Sequence, residues 1–278
     1  MWIGAAIFTM LCFGTNNMIF KWSTTKGYSK IHIQLFFYLV AFSLSLSYGL
    51  FIGIHHMNIV TIVLGTLIGI LNANGNIQMS KAFEKGPANI TSSLISMNTI
   101  IPVLCASLIF HEHITLIQWV GIVIMLCSAV VIQYSPSTNV HIDYLPWMLR
   151  ISFAILSLGI LGVLMKASTY LNIHPLNTLI CMYGGGAVYL IVNSLIQKES
   201  WQKSEGKIGA VVGLLSVVGY SCYFFALKSG ISSIVFPIVS LSCLVVLCGS
   251  FFIFHEKLKI HQIVGVITAL LGIIFTKI

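Results

Sequence analysis

Residues 109–121 read IFHEHITLIQWVG, and residues 253–265 read IFHEKLKIHQIVG. The same Phe-His-Glu corner and the same Gln-x-x-Gly spacing follow a greasy run twice, 144 positions apart. Self-similarity at a fixed offset is the mark of internal duplication. Working outward keeps the register. At an offset of 144, Ala82 and Gly86 meet Ala226 and Gly230, and Ser96 meets Ser240. At an offset of 145, Trp2 meets Trp147, Gly14 meets Gly159, Lys21 meets Lys166 and Tyr38 meets Tyr183. A one-residue gap reconciles the two offsets. The chain therefore reads as a first repeat over 1–134, a connecting loop over 135–144 and a second repeat over 145–278.

Composition says what solvent these repeats face. Of 278 residues, 58% are hydrophobic and only 7% charged, with a mean hydropathy of +0.99. A soluble domain carries about 25% charged residues, so this chain lacks the groups needed to cover a globular surface. Charges, prolines and turn residues cut it into ten apolar runs, at 2–22, 31–53, 59–80, 88–110, 115–134, 145–165, 175–196, 207–227, 231–254 and 259–276. Runs of about 18 residues or more cross a hydrocarbon core of about 30 Å as helices. The first run has no preceding basic residues, no small-residue cleavage site and two internal asparagines, so it reads as a helix and not as a signal peptide. Cysteines 12, 105, 127, 181, 222, 243 and 248 all lie in apolar runs without CxxC spacing, which reads as small buried side chains.

Five helices per repeat is an odd number, so the second copy enters the bilayer from the opposite side. The expected fold is an all-α membrane protein of ten transmembrane helices, built as two inverted five-helix repeats and multi-pass in the cell (plasma) membrane. Inverted repeats allow each half to take the other's conformation, opening a central site to one side and then the other.

Several stretches, taken together, carry a family resemblance. They are FGTNNMIFK at 13–21, Gly86-Pro87-Ala88, Pro102 ten residues before Glu112, and the twin corners. With these the chain resembles the drug/metabolite transporter superfamily, and its EamA-type ten-helix members, over essentially its whole length. Phe13 stands where that family usually has Trp, and Val246 replaces the second-half counterpart of Pro102. The resemblance implies a helical bundle moving small polar solutes or drugs through a central cavity, lined mainly by the early helices of both halves.

Polar side chains at membrane depth are costly without partners or water, which makes them functional candidates. In the third run Asn72, Asn76 and Met79 share a face, and their repeat partners Ser216, Tyr220 and Tyr223 share one in the eighth. These are two walls of one cavity or, alternatively, polar contacts between helices packed through Gly65, Gly69 and Gly75. Ser92, Ser96 and Thr99 form a stripe in the fourth run, which Ser240 and Cys243 match in the ninth; such hydroxyls also bond their own backbone. Asn16 matches the family's first-helix motif. Tyr183 and Tyr189 line or gate an opening, or else belong to the interfacial belt. Lys21 and Lys166 either snorkel to head groups or hold an anionic group at a cavity mouth. Glu112 and Glu256 read as corner residues paired with a lysine or with backbone amides.

No Asp or Glu falls near the middle of any run, and no P-loop or HExxH motif is present. A neutral, hydrogen-bonding cavity is expected, suited to an uncharged or zwitterionic metabolite, with neither cofactor nor metal and no enzymatic role. A multidrug exporter and a non-transporting lipid-handling protein are the alternatives. The expected partners are a small-molecule solute and membrane lipids, with a homodimer left open. The formal charge of +8 does not indicate nucleic acid, because lysines cluster at helix ends where head groups and topology account for them.

Lys21, Lys26, Lys30, Lys81, Lys85, Arg150, Lys198, Lys203, Lys207, Lys257 and Lys259 lie on the side opposite the N-terminus; only Lys166, Lys228 and Lys277 share its side. The positive-inside rule then puts both termini outside, whereas the resemblance implies both inside. In a cysteine-free background, a membrane-impermeant thiol reagent applied to intact cells should label a cysteine placed at residue 1 and spare Lys203→Cys. The reverse pattern returns the family's orientation.

Overall fold

The computed structural model describes residues 1–53, 57–86, 88–134, 144–197, 202–254 and 259–276. Glu256 and the connecting loop up to residue 143 lie outside the described residues. Among those described there is no strand, and twelve helices make ten membrane spans. The first repeat holds α1 (Trp2–Thr25), α2 (Lys30–Ile52), α3 (Ile59–Lys85), α4 (Ala88–Ser96), α5 (Ile100–Leu108) and α6 (Leu116–Gln133). The second holds α7 (Tyr144–Tyr170), α8 (Pro175–Gln197), α9 (Lys203–Ser229), α10 (Ser232–Ser240), α11 (Cys243–Phe254) and α12 (Ile260–Phe275). Among the described residues nine spans are long and apolar enough to cross a bilayer, and α12 is a shorter tenth. This is a multi-pass, all-α membrane protein whose two five-span repeats are inverted relative to each other.

The fourth and ninth spans are not continuous helices, as their apolar runs suggested. Between α4 and α5 the chain tightens into a 3₁₀ turn over Met97–Thr99. Pro102 explains this break, since it offers no N–H to the carbonyl of Asn98 and its ring crowds that group. The matching break after α10 has Val246 at that place, and the amides adjust instead. Leu241 N–H is shared between the carbonyls of Pro237 and Ile238, and Ser242 N–H donates to Val239 at 3.0 Å. The two breaks occupy equivalent positions. Helices α3, α7 and α9 run 27 residues each, about 40 Å at 1.5 Å per residue, so each extends beyond the apolar run that announced it.

Most helix packing joins one repeat to the other. α3 lies on α7 and α8, as α9 lies on α1 and α2; α5 meets α7 as α11 meets α1; and α2–α8 and α6–α12 pair across the pseudo-two-fold. Lipid tails are as apolar as leucine, so close backbone approach through small residues supplies much of the association energy. Gly65 and Gly69 of α3 face Cys181 and Met182 of α8, and their counterparts Gly209 and Gly213 of α9 face Phe36 and Phe37 of α2. The duplication is visible in contacts too. Gly14 packs on Val245 as Gly159 packs on Ile101, and Gly230 packs on Trp2 as Gly86 packs on Trp147.

At Gly69 an added Cβ would collide with the Met182 backbone carbonyl, which cannot move aside cheaply. Gly69→Val should therefore cost about 1–3 kcal/mol or more from overpacking, seen as a lower Tm and folded yield in detergent. Gly4→Ala, with open space around it, should leave both unchanged.

Candidate functional site

Near the middle of the bundle, side chains from both repeats converge. The Phe13 ring lies 4.6 Å from that of Tyr220 and 5.8 Å from that of Tyr223. Tyr183 stands 5.8 Å from Tyr38 and 6.2 Å from Tyr220, and Phe236 closes the group 6.2 Å from Tyr223. Hydrogen bonds run through this aromatic cluster. Asn72 Nδ2 donates to Tyr220 Oη at 2.9 Å and Asn16 Nδ2 to Ser216 Oγ at 2.8 Å. Asn76 Nδ2 donates back to the Asn72 carbonyl at 2.9 Å. The two polar faces expected as facing walls of an open chamber thus touch directly. Asn16, Asn72, Ser216, Tyr220 and Tyr223 are all buried. Three atoms are left over: the hydroxyls of Tyr38 and Tyr183 and the Oδ1 of Asn16 are buried with no hydrogen-bond partner among the described residues.

A second polar chain runs along the other side of α3. Arg150 donates to Gln78 Oε1 at 2.7 Å, Gln78 Nε2 to Asn74 Oδ1 at 3.1 Å, and Asn74 Nδ2 to Ser157 Oγ at 2.9 Å. Tyr189 Oη also donates to Asn74 Oδ1, at 3.0 Å. Beside Tyr189 a groove of about 490 Å³ runs between α3 and α8, lined by Thr66, Ile70, Gly184, Gly185 and Val188. It opens towards lipid, as does a smaller hollow of about 270 Å³ on α6. The chemistry lies elsewhere, so the buried cluster and not either groove is the candidate site.

The corner sequence takes on a structural meaning here. α5 ends at Leu108, and three residues on His111 adopts a left-handed conformation (φ 51°), with Glu112 N–H returning to the Ala106 carbonyl at 3.3 Å. That turn aims Glu112 at the second repeat. Its carboxylate accepts from Ser232 N at 2.9 Å, Ser233 N at 2.8 Å and Ser233 Oγ at 2.7 Å, at the N-terminus of α10. It also pairs with Lys166 Nζ of α7 at 2.8 Å. Thr115 and Gln118 then form the capping box that starts α6. Gly121 finally lets α6 approach the Gly272 carbonyl of α12. The second copy repeats the start: Lys259 N–H donates to Gln262 Oε1 at 3.0 Å, and Gly265 packs on Ile132.

Comparison with known proteins bears on what this architecture is. The model of the EamA-like transporter family matches residues 1–134 and again residues 145–278. The chain belongs to the EamA-like transporter family. A crystal structure of a protein 12% identical superposes with a TM-score of 0.80, covering 99% of this chain and 96% of that one, which supports the fold. No curated protein matches the sequence.

In this EamA-like protein the residues singled out from sequence separate into groups. Asn16, Asn72, Asn76, Tyr220 and Tyr223 come together at the centre. Met79 does not; it packs in a smaller cluster with Ala82, Ile95 and Trp147. Ser96 Oγ donates to the Ser92 carbonyl and receives the Gln133 amide, and Ser240 Oγ donates to Pro237 O at 2.7 Å. Both serines hold their own helices. Lys166 joins the Glu112 corner, and Lys21 Nζ donates to Ser250 Oγ at 2.8 Å.

Sequence reading passed over Glu205 at the start of α9. Only 2% exposed, it accepts from Ser29 N at 2.8 Å and Gln202 N at 2.9 Å and meets His32 Nδ1 at 3.1 Å. It thereby ties α2 to α9. The available signal was a single glutamate at the head of a long apolar run.

Burial would raise the Glu112 carboxyl pKa, but the Lys166 ammonium and the hydrogen bonds from Ser233 and Ser232 together hold it below the ordinary 4.5. A lowered folded-state pKa contributes stability that is complete above the unfolded value and is lost as pH falls through the folded one. Glu112→Gln should therefore cost about 2–4 kcal/mol at neutral pH, since it leaves Lys166 without its counter-charge. The Tm gap between wild type and variant should narrow as pH drops below about 4.5. A gap independent of pH would show that the carboxylate charge is not what holds the corner.

Proposed function

We propose that this EamA-like protein is a secondary transporter of the plasma membrane. It moves a small neutral or zwitterionic metabolite by alternating access and without ATP. The observation that carries this reading is the set of unpartnered atoms at the centre. Leaving a buried hydroxyl or amide oxygen unbonded costs about 1–3 kcal/mol, and the phenols of Tyr38 and Tyr183 and the oxygen of Asn16 all bear that cost. They stand where helices of both inverted repeats meet, the usual place for a transporter's binding site. A solute with both donors and acceptors would satisfy them. Among the described residues no carboxylate belongs to this cluster, which suits a cargo without strong net charge at that depth.

In the proposed cycle the direct contacts between the two polar faces belong to a closed centre. Cargo entering between them replaces Asn72–Tyr220 and Asn16–Ser216 bonds with bonds to itself. The opposite ends of the bundle then separate in turn. One observation favours a second reading, a multidrug exporter: the aromatic rings offer adaptable apolar surface, and the groove beside Tyr189 faces the bilayer. A resistance panel in an expressing strain separates the two.

Flux into proteoliposomes is the direct test. Tyr220→Phe keeps the ring and removes the hydroxyl, and Asn16→Leu keeps approximate volume and removes the amide. Each should reduce counterflow per folded, reconstituted molecule about tenfold, the equivalent of one hydrogen bond of about 1.4 kcal/mol, beside a lower Tm, since Tyr220→Phe unpairs Asn72 and Asn16→Leu unpairs Ser216. Undiminished flux in both would remove the central cluster as the solute site.

A further inference from the structure

The second repeat serves as an internal control for the first, and one stripe of α2 fails to match it. Lys30, Gln34 and Tyr38 follow one another at four-residue spacing, so they share a face of the helix from the lysine-rich end to the central cluster. At the offset of 145 their counterparts on α8 are Pro175, Leu179 and Tyr183. The fold thus needs only the tyrosine, and packing is satisfied by proline and leucine at the other two places.

We propose that Lys30 and Gln34 form a capture site for the carboxylate and the N–H end of a small zwitterion, just above the central cluster on the lysine-rich side. The inference rests on the transporter reading and names its cargo as carboxylate-bearing. Lys30 is half-buried, with its Nζ 5.9 Å from the ring centres of both Phe20 and Phe83. Among the described residues no carboxylate pairs with it. Glu205, at the head of α9, is engaged by Ser29 N, Gln202 N and His32, and Glu84 on α3 is exposed. Lys203 and Lys207 on α9 are also exposed and add positive potential to this face. One turn deeper, Gln34 is 2% exposed and its Oε1 has no partner among the described residues. One turn deeper again, the Tyr38 hydroxyl is fully buried and equally unpartnered.

The chemistry of the stripe selects the ligand. An ammonium attracts an oxyanion, and the two phenyl faces exclude water and strengthen that attraction. The unpartnered amide oxygen accepts from an N–H. Lys30 and Gln34 are separated by about 6 Å of helix rise, a distance that lysine's flexible side chain can shorten to the span of one α-amino acid. Below them the tyrosine hydroxyls offer the next stop. On the opposite face Pro175 and Leu179 provide neither group, so capture is built into one side of the membrane only.

The test uses full-length protein in an uncharged detergent and, separately, in phosphatidylcholine nanodiscs with or without phosphatidylglycerol. Thermal shifts are measured against the standard α-amino acids and their carboxamides. At least one amino acid should stabilise the wild type, with its amide at least about tenfold weaker. Lys30→Gln should lose about tenfold or more in apparent affinity, Lys30→Arg should stay within about threefold, and the exposed Lys26→Gln should match wild type. Should Lys30→Gln fail to fold, Gln34→Leu makes the same comparison by installing the other repeat's residue. Absence of any amino-acid shift, equal binding of acid and amide, or unchanged affinity in Lys30→Gln overturns the proposal. A Lys30-dependent shift from phosphatidylglycerol alone assigns the lysine to lipid head groups and also overturns it. Counterflow that persists unaltered in Lys30→Gln sinks the capture site and leaves the transporter reading standing, whereas absence of flux in wild type sinks that reading first.

Discussion

The crossing of α3 over α8, with its mirror crossing of α9 over α2, is the constraint on which the rest of the molecule depends. In hydrocarbon there is no hydrophobic force to press two helices together, so contact is gained only where backbones come close and polar groups find each other. Gly65 and Gly69 provide that closeness on one side, and Gly209 and Gly213 on the other. The polar contacts follow from it. Asn72 lies three residues beyond Gly69, and its bond to Tyr220 at 2.9 Å requires α3 and α9 each to sit tightly in the other repeat. A wider crossing would leave those groups apart in an apolar medium.

Because the fold is written twice, agreement and disagreement between the copies have different meanings. Where the copies agree, the architecture is the cause: Gly14 with Gly159, Trp2 with Trp147, and Tyr38 with Tyr183 each occupy the same packing position. Where they disagree, packing is not the reason. His32 and Glu205 form a buried ionisable contact at the lysine-rich face, and their counterparts are Asn177 and Thr61. The same holds for Lys30 against Pro175. Both of these differences lie at the lysine-rich end of the bundle and give the two membrane faces unlike chemistry on a nearly symmetric frame.

Much of the frame was legible because lipid imposes simple rules. Ten apolar runs, a repeat with one gap and an odd number of helices per copy lead directly to inverted five-span units. The breaks in the fourth and ninth spans were hidden, since hydropathy records side chains and is blind to which backbone amides pair. Pro102 hinted at one break; in the other run Val246 gave no such sign, and Pro237, nine residues earlier, sits inside α10 just before the break. At the candidate site the i, i+4 reading found Asn72, Asn76 and the tyrosines, yet extending that stripe to Met79 carried it out of the cluster. Asn74 and Gln78 lie on the next stripe of the same helix, and their partners Ser157 and Arg150 are 83 and 72 residues away. Spacing along one helix cannot reveal a partner on another.

The corner motif shows how such a frame can combine rigidity with movement. Glu112 binds the first turn of α10 through two backbone amides and a hydroxyl, and it holds Lys166 as well. All of these groups lie at the end of the bundle, where water can reach them once they part, although Ser232 and Ser233 are fully buried while the corner is closed. Breaking them exchanges protein partners for solvent, so the net loss is a small fraction of each bond's intrinsic strength. The glycine crossings have no such exchange available, because lipid offers nothing to a separated backbone. Contacts at the ends are therefore reversible, the central hydrogen bonds open only where cargo replaces them, and the glycine crossings stay closed. On the proposed reading this places the pivot at the crossings and the moving parts at the corners. Motion at the corners need not disturb the packing that keeps the two repeats interleaved.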